Sequence, residues 1–321
     1  MRNTFPSPHP SSLLSYIHIP FSLHNPPHII PICKGFSTDK KYIIVTKEGP
    51  KLLLKTFDNQ HMEQKHQEYE ILVKMKQNHL PCSKPLQIGT IERYKLGYIL
   101  LSFIDGKDAR SQLPHCKQEE QYFIGVEAGQ SLRLIHQHQA PSHIKPWSDR
   151  KQSQYKHTIQ TYKQCGVTIN HDFKIMYFIE EHMHVMQGRP NQCQHNDFHI
   201  DNIIVKNKAF AGIIDFHGFN WGDPMHDFHP LGLLSREISI PYCIGQIKGY
   251  FHPHEPPPSF WKQYSLYLAM YLFYSVVWIT HFKGGESKQM MDRINTVLED
   301  HHYFDKTKPA WYKGDVISHN I

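Results

Sequence analysis

The chain has 321 residues, of which 40% are hydrophobic, and its formal net charge is +6. This length allows two packed domains. A positive net charge can indicate a nucleic-acid partner, but the basic excess lies before His195 and no nucleic-acid-binding motif accompanies it. The six cysteines are scattered without a CxxC pair, and the triplet of Cys193 and His195 has no second ligand pair at zinc spacing. We therefore expect reduced thiols, a cytoplasmic location, no structural zinc and no nucleic-acid partner.

The first 30 residues are rich in proline, serine and histidine, and residues 1–30 are predicted to form an extension outside the folded domains. They lack the basic-then-apolar order of a signal peptide. The most apolar run, Leu266 to Ile279, is shorter than the ~20 residues that cross a bilayer. We expect a buried helix there and no membrane partner.

Strands dominate the segment that follows this extension. Tyr42–Thr46 is β-branched, and Lys51–Phe57 follows it after a turn. A helix is predicted over Asn59–Gln77, with Ile71, Leu72 and Met75 on its buried face. Tyr98–Ile104 is predicted to be a strand that ends at Asp105–Gly106.

Helical patterns dominate from Glu119 onward, for example at Glu127–His138 and over Phe260–Asp300. Two short strands, Asn202–Val205 and Phe210–Ile214, interrupt them as a hairpin. Strands followed by helices predict an α+β fold of two lobes. We place the first lobe at 31–104 and the second at 105–321.

The hairpin carries the most informative chemistry. His195 to Asn202 reads HNDFHIDN before its first strand, and Asp215 follows its second strand. A short hairpin brings these two positions to the same end, so that Asp197, Asn202 and Asp215 are predicted to converge. Mg²⁺ prefers such oxygen ligands, and phosphoryl transfer needs positioning, charge neutralisation and a group that accepts the hydroxyl proton.

HNDFHIDN followed by IIDF resembles the catalytic loop and metal-binding Asp of the aminoglycoside phosphotransferase and choline kinase superfamily. The resemblance implies a bilobal protein-kinase-like fold, with a small β-rich N-lobe and a larger, mainly helical C-lobe. It implies that Asp197 is the catalytic base and that Asn202 and Asp215 hold Mg²⁺. His199 is expected near the transferred phosphate, and His195 is expected to brace the loop.

A second signature supports the same family. The segment WGDPMHD resembles the family's G-D-P-x-x-D, whose two acids, here Asp223 and Asp227, brace the loop and the following helix. The family's glycine in the catalytic loop is replaced by Asn196. Since Asn tolerates left-handed dihedrals better than most residues, we expect the loop to keep its conformation.

The resemblance also implies an ATP site in the N-lobe. Gly35, Ser37 and Thr38 resemble the family's phosphate loop. The resemblance implies that a lysine on the second strand contacts the α- and β-phosphates. Lys55 is chosen because it shares a strand face with apolar residues, whereas Lys51 lies at the strand edge.

The lysine needs a carboxylate partner on the following helix. Glu68 shares the inward helix face, whereas Glu70 meets a mostly polar face. The strand before Asp105 resembles the family's hinge. Backbone groups of Ser102, Phe103 and Ile104 are therefore expected to bind the adenine.

The acceptor is expected to be a hydroxyl of a small molecule, and an aminoglycoside-type antibiotic is the first choice. A polycation would favour a cluster of carboxylates, yet the segment after Asp227 is thinly acidic. Choline, a sugar or another metabolite is an alternative, as is an inactive kinase-like binding or structural protein. A protein kinase is disfavoured because no D-F-G or A-P-E segment is present. Candidate acceptor residues follow the hairpin: Ser235, Arg236, Glu237, Tyr250, Trp261, Tyr264, Tyr271, Trp278 and Asp300.

Overall fold

The computed structural model of the chain describes residues 9–34, 38–281 and 287–313. The chain divides into two compact units, one made of Met1–Asp105 with Ala211–His217 and the other of Gly106–Phe210 with Gly218–Ile321. The predicted phosphate-loop residues Gly35 and Ser37 lie outside the described residues, while Thr38 is described and exposed.

The first unit is built on a five-stranded antiparallel sheet with the order β1-β2-β3-β5-β4. Its elements are α1 (Pro10–Leu13), β1 (Leu23–Ile32), β2 (Lys40–Thr46), β3 (Leu52–Asp58), α2 (Met62–Gln77), β4 (Pro85–Ile91) and β5 (Leu96–Ser102). One sheet face packs its side chains, among them Ile44, Leu54 and Leu100, with Leu13 and Leu14 of the amino-terminal segment. The buried face of α2 consists of Lys65, Glu68, Ile71, Leu72 and Met75.

The edge strand β1 was not predicted, because it lies largely within the expected extension 1–30. Its sequence, LHNPPHIIPI, contains three prolines, which cannot donate to a β-ladder. An edge strand tolerates them, since it pairs on one side only. The register with β2 shifts between Leu23 and His28, where Pro26 and Pro27 interrupt the pairing.

The second unit is mainly helical. Its elements are β6 (Lys107–Asp108), α3 (Ala109–Gln112), α4 (Gln118–Ile135), α5 (Trp147–Tyr162), α6 (Asp172–His182), β7 (Gln192–Gln194), β8 (Ile203–Lys206), β9 (Ala209–Ile213, which continues into the first unit), β10 (Asn220–Gly222), α7 (Ile240–Phe251), α8 (Pro258–His281) and α9 (Ser287–Asp300). Strand β6 pairs antiparallel with β8, and β7 pairs antiparallel with β10. The predicted short strands around residues 202–214 are thereby confirmed.

Helices α4 and α7 pack closely through glycines. Gly125 and Gly129 on α4, and Gly245 and Gly249 on α7, are each spaced four residues apart. A Cβ added to any of the four would lie 2.1–2.2 Å from a backbone carbonyl oxygen of the other helix. The two backbones therefore approach at a distance that only glycine permits at these positions.

The apolar run predicted to be a buried helix lies within α8. Leu266, Tyr267, Leu268 and Phe273 of this helix are fully buried. Within residues 9–34, 38–281 and 287–313, no helix is long and apolar enough to cross a membrane.

Candidate active site

A buried lysine and two carboxylates form the central cluster of the first unit. Lys55 Nζ lies 3.0 Å from Glu68 Oε1 and 3.3 Å from Asp215 Oδ1. The side chains of Lys55 and Glu68 are 5% and 2% exposed. Burial alone would lower the pKa of Lys55, but the charges and hydrogen bonds of the two carboxylates outweigh burial and raise it. Lys55 is therefore held as a cation, with Glu68 as the predicted partner.

Asp215 is held by three cationic or hydrogen-bonding side chains. Besides Lys55, Lys41 Nζ lies 3.4 Å from its Oδ2, and His217 Nδ1 lies 2.9 Å from its Oδ1. Burial would raise the pKa of Asp215, but these partners together hold it far below its usual range. Asp215 has a φ of 69°, a left-handed conformation that is uncommon for a residue other than glycine. The local chain is thus bent so that this carboxylate faces the lysines.

Glu68 is also fixed from a second side. Lys65 Nζ lies 3.1 Å from Glu68 Oε2 and 2.5 Å from Asp39 Oδ2, and it stands over the ring of Phe57. Burial would raise the pKa of Glu68, but the charges of Lys55 and Lys65 outweigh it and lower the pKa. The carboxylate is therefore ionised and has little freedom to leave Lys55. In contrast, Glu70 is exposed, as predicted from the helix face.

The segment predicted to bind adenine is partly engaged within the protein. The Ser102 N–H donates to Lys84 O at 2.9 Å, and the Phe103 N–H donates to Lys51 O at 3.1 Å. These two groups therefore cannot serve as donors to a base, which corrects that part of the prediction. No described residue accepts a hydrogen bond from the Ile104 N–H. Ile104 is thus the donor of this segment that is open to a ligand.

The catalytic loop predicted from HNDFHIDN lies in the second unit. Asp197 Oδ1 is 3.1 Å from His199 Nε2, and its Oδ2 accepts a hydrogen bond of 2.9 Å from Asn202 Nδ2. Burial would raise the pKa of Asp197, but the hydrogen bond from His199 and the charges nearby lower it. The carboxylate is 41% exposed, so that it is both ionised and accessible.

His199 stands between two acids. Its Nδ1 lies 3.1 Å from Asp201 Oδ2, on the side opposite Asp197. Burial would lower the pKa of His199, but these two carboxylates raise it to about 9. His199 is therefore protonated at neutral pH, with its Nε2 facing the Asp197 carboxylate and its Nδ1 facing the Asp201 carboxylate.

One buried acid of the WGDPMHD segment, Asp227, holds this loop, as predicted. Asp227 accepts hydrogen bonds from the backbone N–H of His195 at 2.7 Å and of Asn196 at 2.8 Å, and His136 Nε2 lies 3.0 Å from it. Asn196 has a φ of 64°, so asparagine adopts the left-handed conformation expected of it. The loop therefore keeps its shape without the family's glycine.

Asp223 has a different set of partners. Arg189 donates to it with two nitrogens at 2.8 Å, and the hydroxyl of Tyr267 donates at 2.6 Å. It also caps the following turn through the N–H of Met225. Asp223 and Asp227 are both fully buried, so neither is placed to meet a substrate directly.

The donors present suit a hard cation. Asp215 offers carboxylate oxygens, and Asn202 uses its Nδ2 toward Asp197, which leaves its Oδ1 to accept or ligate. Mg²⁺ is commonly bound by one or two protein oxygens together with substrate phosphates, rather than by a complete protein cage. Among the described residues no group of three or more His, Cys, Asp or Glu could hold a metal.

Sequence comparison then identifies the family. The family model described as the phosphotransferase enzyme family matches residues 28–261. The chain belongs to this phosphotransferase family. No curated protein matches the chain at a significant level.

Solved structures share the fold of this phosphotransferase. ADP-bound aminoglycoside phosphotransferase APH(2'')-Ib has 15% identity and a TM-score of 0.56, covering 89% of this chain and 94% of that one. Amicoumacin kinase, in complex with AMP-PNP, Ca²⁺ and its antibiotic, has 12% identity and a TM-score of 0.61, covering 93% and 94%. A GDP complex of an aminoglycoside 2'-phosphotransferase-IIIa mutant has 9% identity and a TM-score of 0.62, covering 88% and 94%. The α+β protein-kinase-like fold and the predicted phosphotransferase activity on an alcohol group are confirmed.

Sequence reasoning missed several residues of this phosphotransferase that contact the predicted ones. Lys41 pairs across strands with Lys55, so the register of the β2–β3 hairpin would have revealed it. Asp201 pairs with Arg110, whose Nε lies 2.9 Å from Asp201 Oδ2. Arg110 also reaches Glu237, with Nη1 2.7 Å from Oε1. Arg110 is 91 residues from Asp201 in the chain, and no local pattern signals that contact.

Proposed function

We propose that the protein transfers the γ-phosphate of ATP, with Mg²⁺, to a hydroxyl of a small molecule. The observation that carries this proposal is Asp197, an accessible and ionised carboxylate on a loop held by Asp227. Such an ionised group can orient a hydroxyl and accept its proton as the phosphoryl group arrives. Membership of the phosphotransferase family supports the same reaction.

The nucleotide is proposed to be bound by residues of the first unit. Lys55, fixed by Glu68, supplies the cation for the α- and β-phosphates, and the resemblance assigns phosphate contacts to Gly35, Ser37 and Thr38. The Ile104 N–H is the proposed donor to the base, with the carbonyl groups of Ser102 and Phe103 as the remaining polar groups of that segment. The relatives of known structure hold ADP, AMP-PNP or GDP.

The metal is proposed to be Mg²⁺, with Asp215 and Asn202 as protein ligands. When bound, Mg²⁺ neutralises phosphate charge. The protein's own residues position the acceptor hydroxyl and accept its proton. The acceptor hydroxyl oxygen forms a bond to the γ-phosphorus, the bond from that phosphorus to the ADP oxygen breaks, and the hydroxyl proton passes to Asp197. His199, protonated beside Asp197, is proposed to lie near the transferred phosphate and to stabilise its charge.

An aminoglycoside-type acceptor remains the first candidate from the sequence, and structural relatives that bind such antibiotics support it. The choline alternative relied on aromatic side chains after the hairpin. Tyr250, Trp261 and Tyr264 are buried in the helical core, whereas Tyr271 and Trp278 are half-buried, so burial does not exclude the latter two from a cation–π contact. The burial of these aromatic side chains does not bear on a sugar or another metabolite as the acceptor.

The test is a comparison of wild type with Asp197→Asn. We expect the variant to lose at least about a hundredfold in kcat with any accepted substrate, because it cannot accept the proton. It should retain the rise in melting temperature that Mg·ATP produces, because Lys55 and Glu68 are unchanged. Asp149→Asn, on the first turn of α5, is the matched control. Full activity of Asp197→Asn would refute the role of the base, and no thermal shift of wild type with ATP or GTP would refute the nucleotide site.

A further inference from the structure

A polar cavity lies in the second unit between the segment around residues 232–237 and helix α9. Its volume is about 270 Å³, and its lining includes Arg236, Glu237, Asp292 and Arg293. This volume is close to the lower end of the range for small-molecule sites. The cavity suits a molecule the size of a monosaccharide rather than several linked rings.

Two carboxylates at this cavity are already paired with arginines: Glu237 belongs to the lining, and Asp300 pairs with the lining residue Arg236. Glu237 Oε1 lies 2.7 Å from Arg110 and 2.6 Å from Arg293. Asp300, only 8% exposed, lies 2.8 Å from Arg236. The remaining acid of the lining, Asp292, is exposed to solvent, where its charge is screened. A polycationic acceptor would therefore find no unpaired inner carboxylate here.

The arginines, in contrast, retain unused donors. Arg293 donates from its Nε and Nη2 to Glu237, and Arg236 donates from its Nη2 to Asp300, with its Nε 2.8 Å from the other Asp300 oxygen. A guanidinium has five N–H donors in a fixed fork. No residue in the described part of the chain accepts a hydrogen bond from Nη1 of either arginine. Each guanidinium is thus fixed by a carboxylate and keeps an edge for an oxygen ligand.

The cavity is connected to the catalytic base. A chain of contacts runs from Asp197 through His199, Asp201 and Arg110 to Glu237 on the cavity wall.

We propose that this cavity is the acceptor subsite and that it takes a small polyol carrying an oxyanion, held by Arg293 and Arg236. The inference rests on the proposed phosphotransferase function and departs from the aminoglycoside expectation. The acceptor's hydroxyl oxygen forms the bond to the γ-phosphorus of ATP, ADP leaves, and the hydroxyl proton passes to Asp197. The oxyanion takes no part in bond formation and serves to orient the acceptor.

The experiment uses probes of similar skeleton and different charge: gluconate, glucitol and glucamine, with glucitol 6-phosphate as a phosphate-bearing counterpart. Binding to the full chain with Mg·AMP-PNP is measured by calorimetry, and transfer is measured from Mg·ATP. We expect gluconate or glucitol 6-phosphate to be used with a kcat/KM at least tenfold above that of glucitol or glucamine. Preference for the first identifies a carboxylate acceptor, and preference for the second identifies a phosphate ester.

The matched variants are Arg293→Gln and Lys288→Gln, which remove one positive charge each from helix α9. Lys288 is exposed and outside the cavity lining. We expect Arg293→Gln to lower kcat/KM for the anionic probe about tenfold or more, mainly by raising KM, and to leave kcat/KM for glucitol unchanged. Arg293→Lys should recover only part of the loss, because lysine lacks the planar fork. Lys288→Gln should behave as wild type.

Two results would overturn the inference. One is that glucitol or glucamine is used as well as the anionic probes, or that Arg293→Gln reduces all probes equally. The other is that none of the probes binds although Mg·ATP raises the melting temperature. Failure of the proposed function is distinct, since it would show as no thermal shift with any nucleotide, before an acceptor is added.

Discussion

Asp227→Asn tests whether the catalytic loop depends on a single buried carboxylate. Asp227 accepts from the N–H groups of His195 and Asn196 and contacts His136 Nε2. An asparagine offers one oxygen for these three donors, and its NH₂ must face at least one N–H. Losing a charge-assisted hydrogen bond and leaving a donor unsatisfied costs about 3 kcal/mol.

That cost should be visible in both stability and rate. For 321 residues it corresponds to about 5 °C in melting temperature. A displaced loop would also reduce kcat, by about a hundredfold for a shift of ~1 Å at the base. The dissociation constant for Mg·ATP should change less than kcat, because Lys55, Glu68 and Asp215 are unchanged and Asn202 is the one proposed metal ligand on the displaced loop.

The assay is thermal unfolding together with steady-state kinetics and nucleotide titration. Asp305→Asn is the control, because Asp305 is 64% exposed and pairs with Lys174 at the surface. Such pairs contribute about 0–1 kcal/mol. A wild-type melting temperature and kcat in Asp227→Asn would refute the bracing role. An equal loss of nucleotide affinity would show that the effect is not confined to the loop.

Three further changes test other parts of the structure. Glu68→Gln should lower the melting temperature and weaken Mg·ATP binding, because it leaves the buried Lys55 and Lys65 without a full negative charge beside them. The exposed control Glu70→Gln should change neither quantity. Equal effects of the two variants would refute the role of the ion pair between Lys55 and Glu68. Gly129→Ala should lower the free energy of unfolding in urea by about 1–3 kcal/mol, because the added Cβ would collide with the backbone of α7. Alanine has the higher helix propensity, so a gain in stability would contradict the tight packing of α4 and α7. The pKa of His199 is raised from 6.5 to about 9, so its stabilisation is full below pH 6.5 and is lost as pH rises through 9. The difference in melting temperature between wild type and His199→Gln should therefore shrink between pH 7 and 10, and a constant difference would show that the protonated ring is not the cause.

The local sequence pattern identified many of the candidate active-site residues. The spacing of Asp197, Asn202 and Asp215 around two short strands is contiguous in sequence, and so is the motif that contains Asp227. The helix face that distinguishes Glu68 from Glu70 follows from a period of 3.6 residues. These features could be predicted because each depends on residues a few positions apart.

The tertiary structure decided the contacts that join distant segments. The edge strand β1 was not predicted because its prolines, which lack an N–H, argue against a strand. Its pairing with β2 on one side only shows that those N–H groups are not needed for the sheet. The glycines of α4 and α7 look unfavourable for helices until the two backbones are seen to touch. Arg110, which links Asp201 to Glu237, has no local signal at all. Periodicity specifies which face of a segment is buried, but which partner covers that face depends on packing between residues that are far apart in the chain.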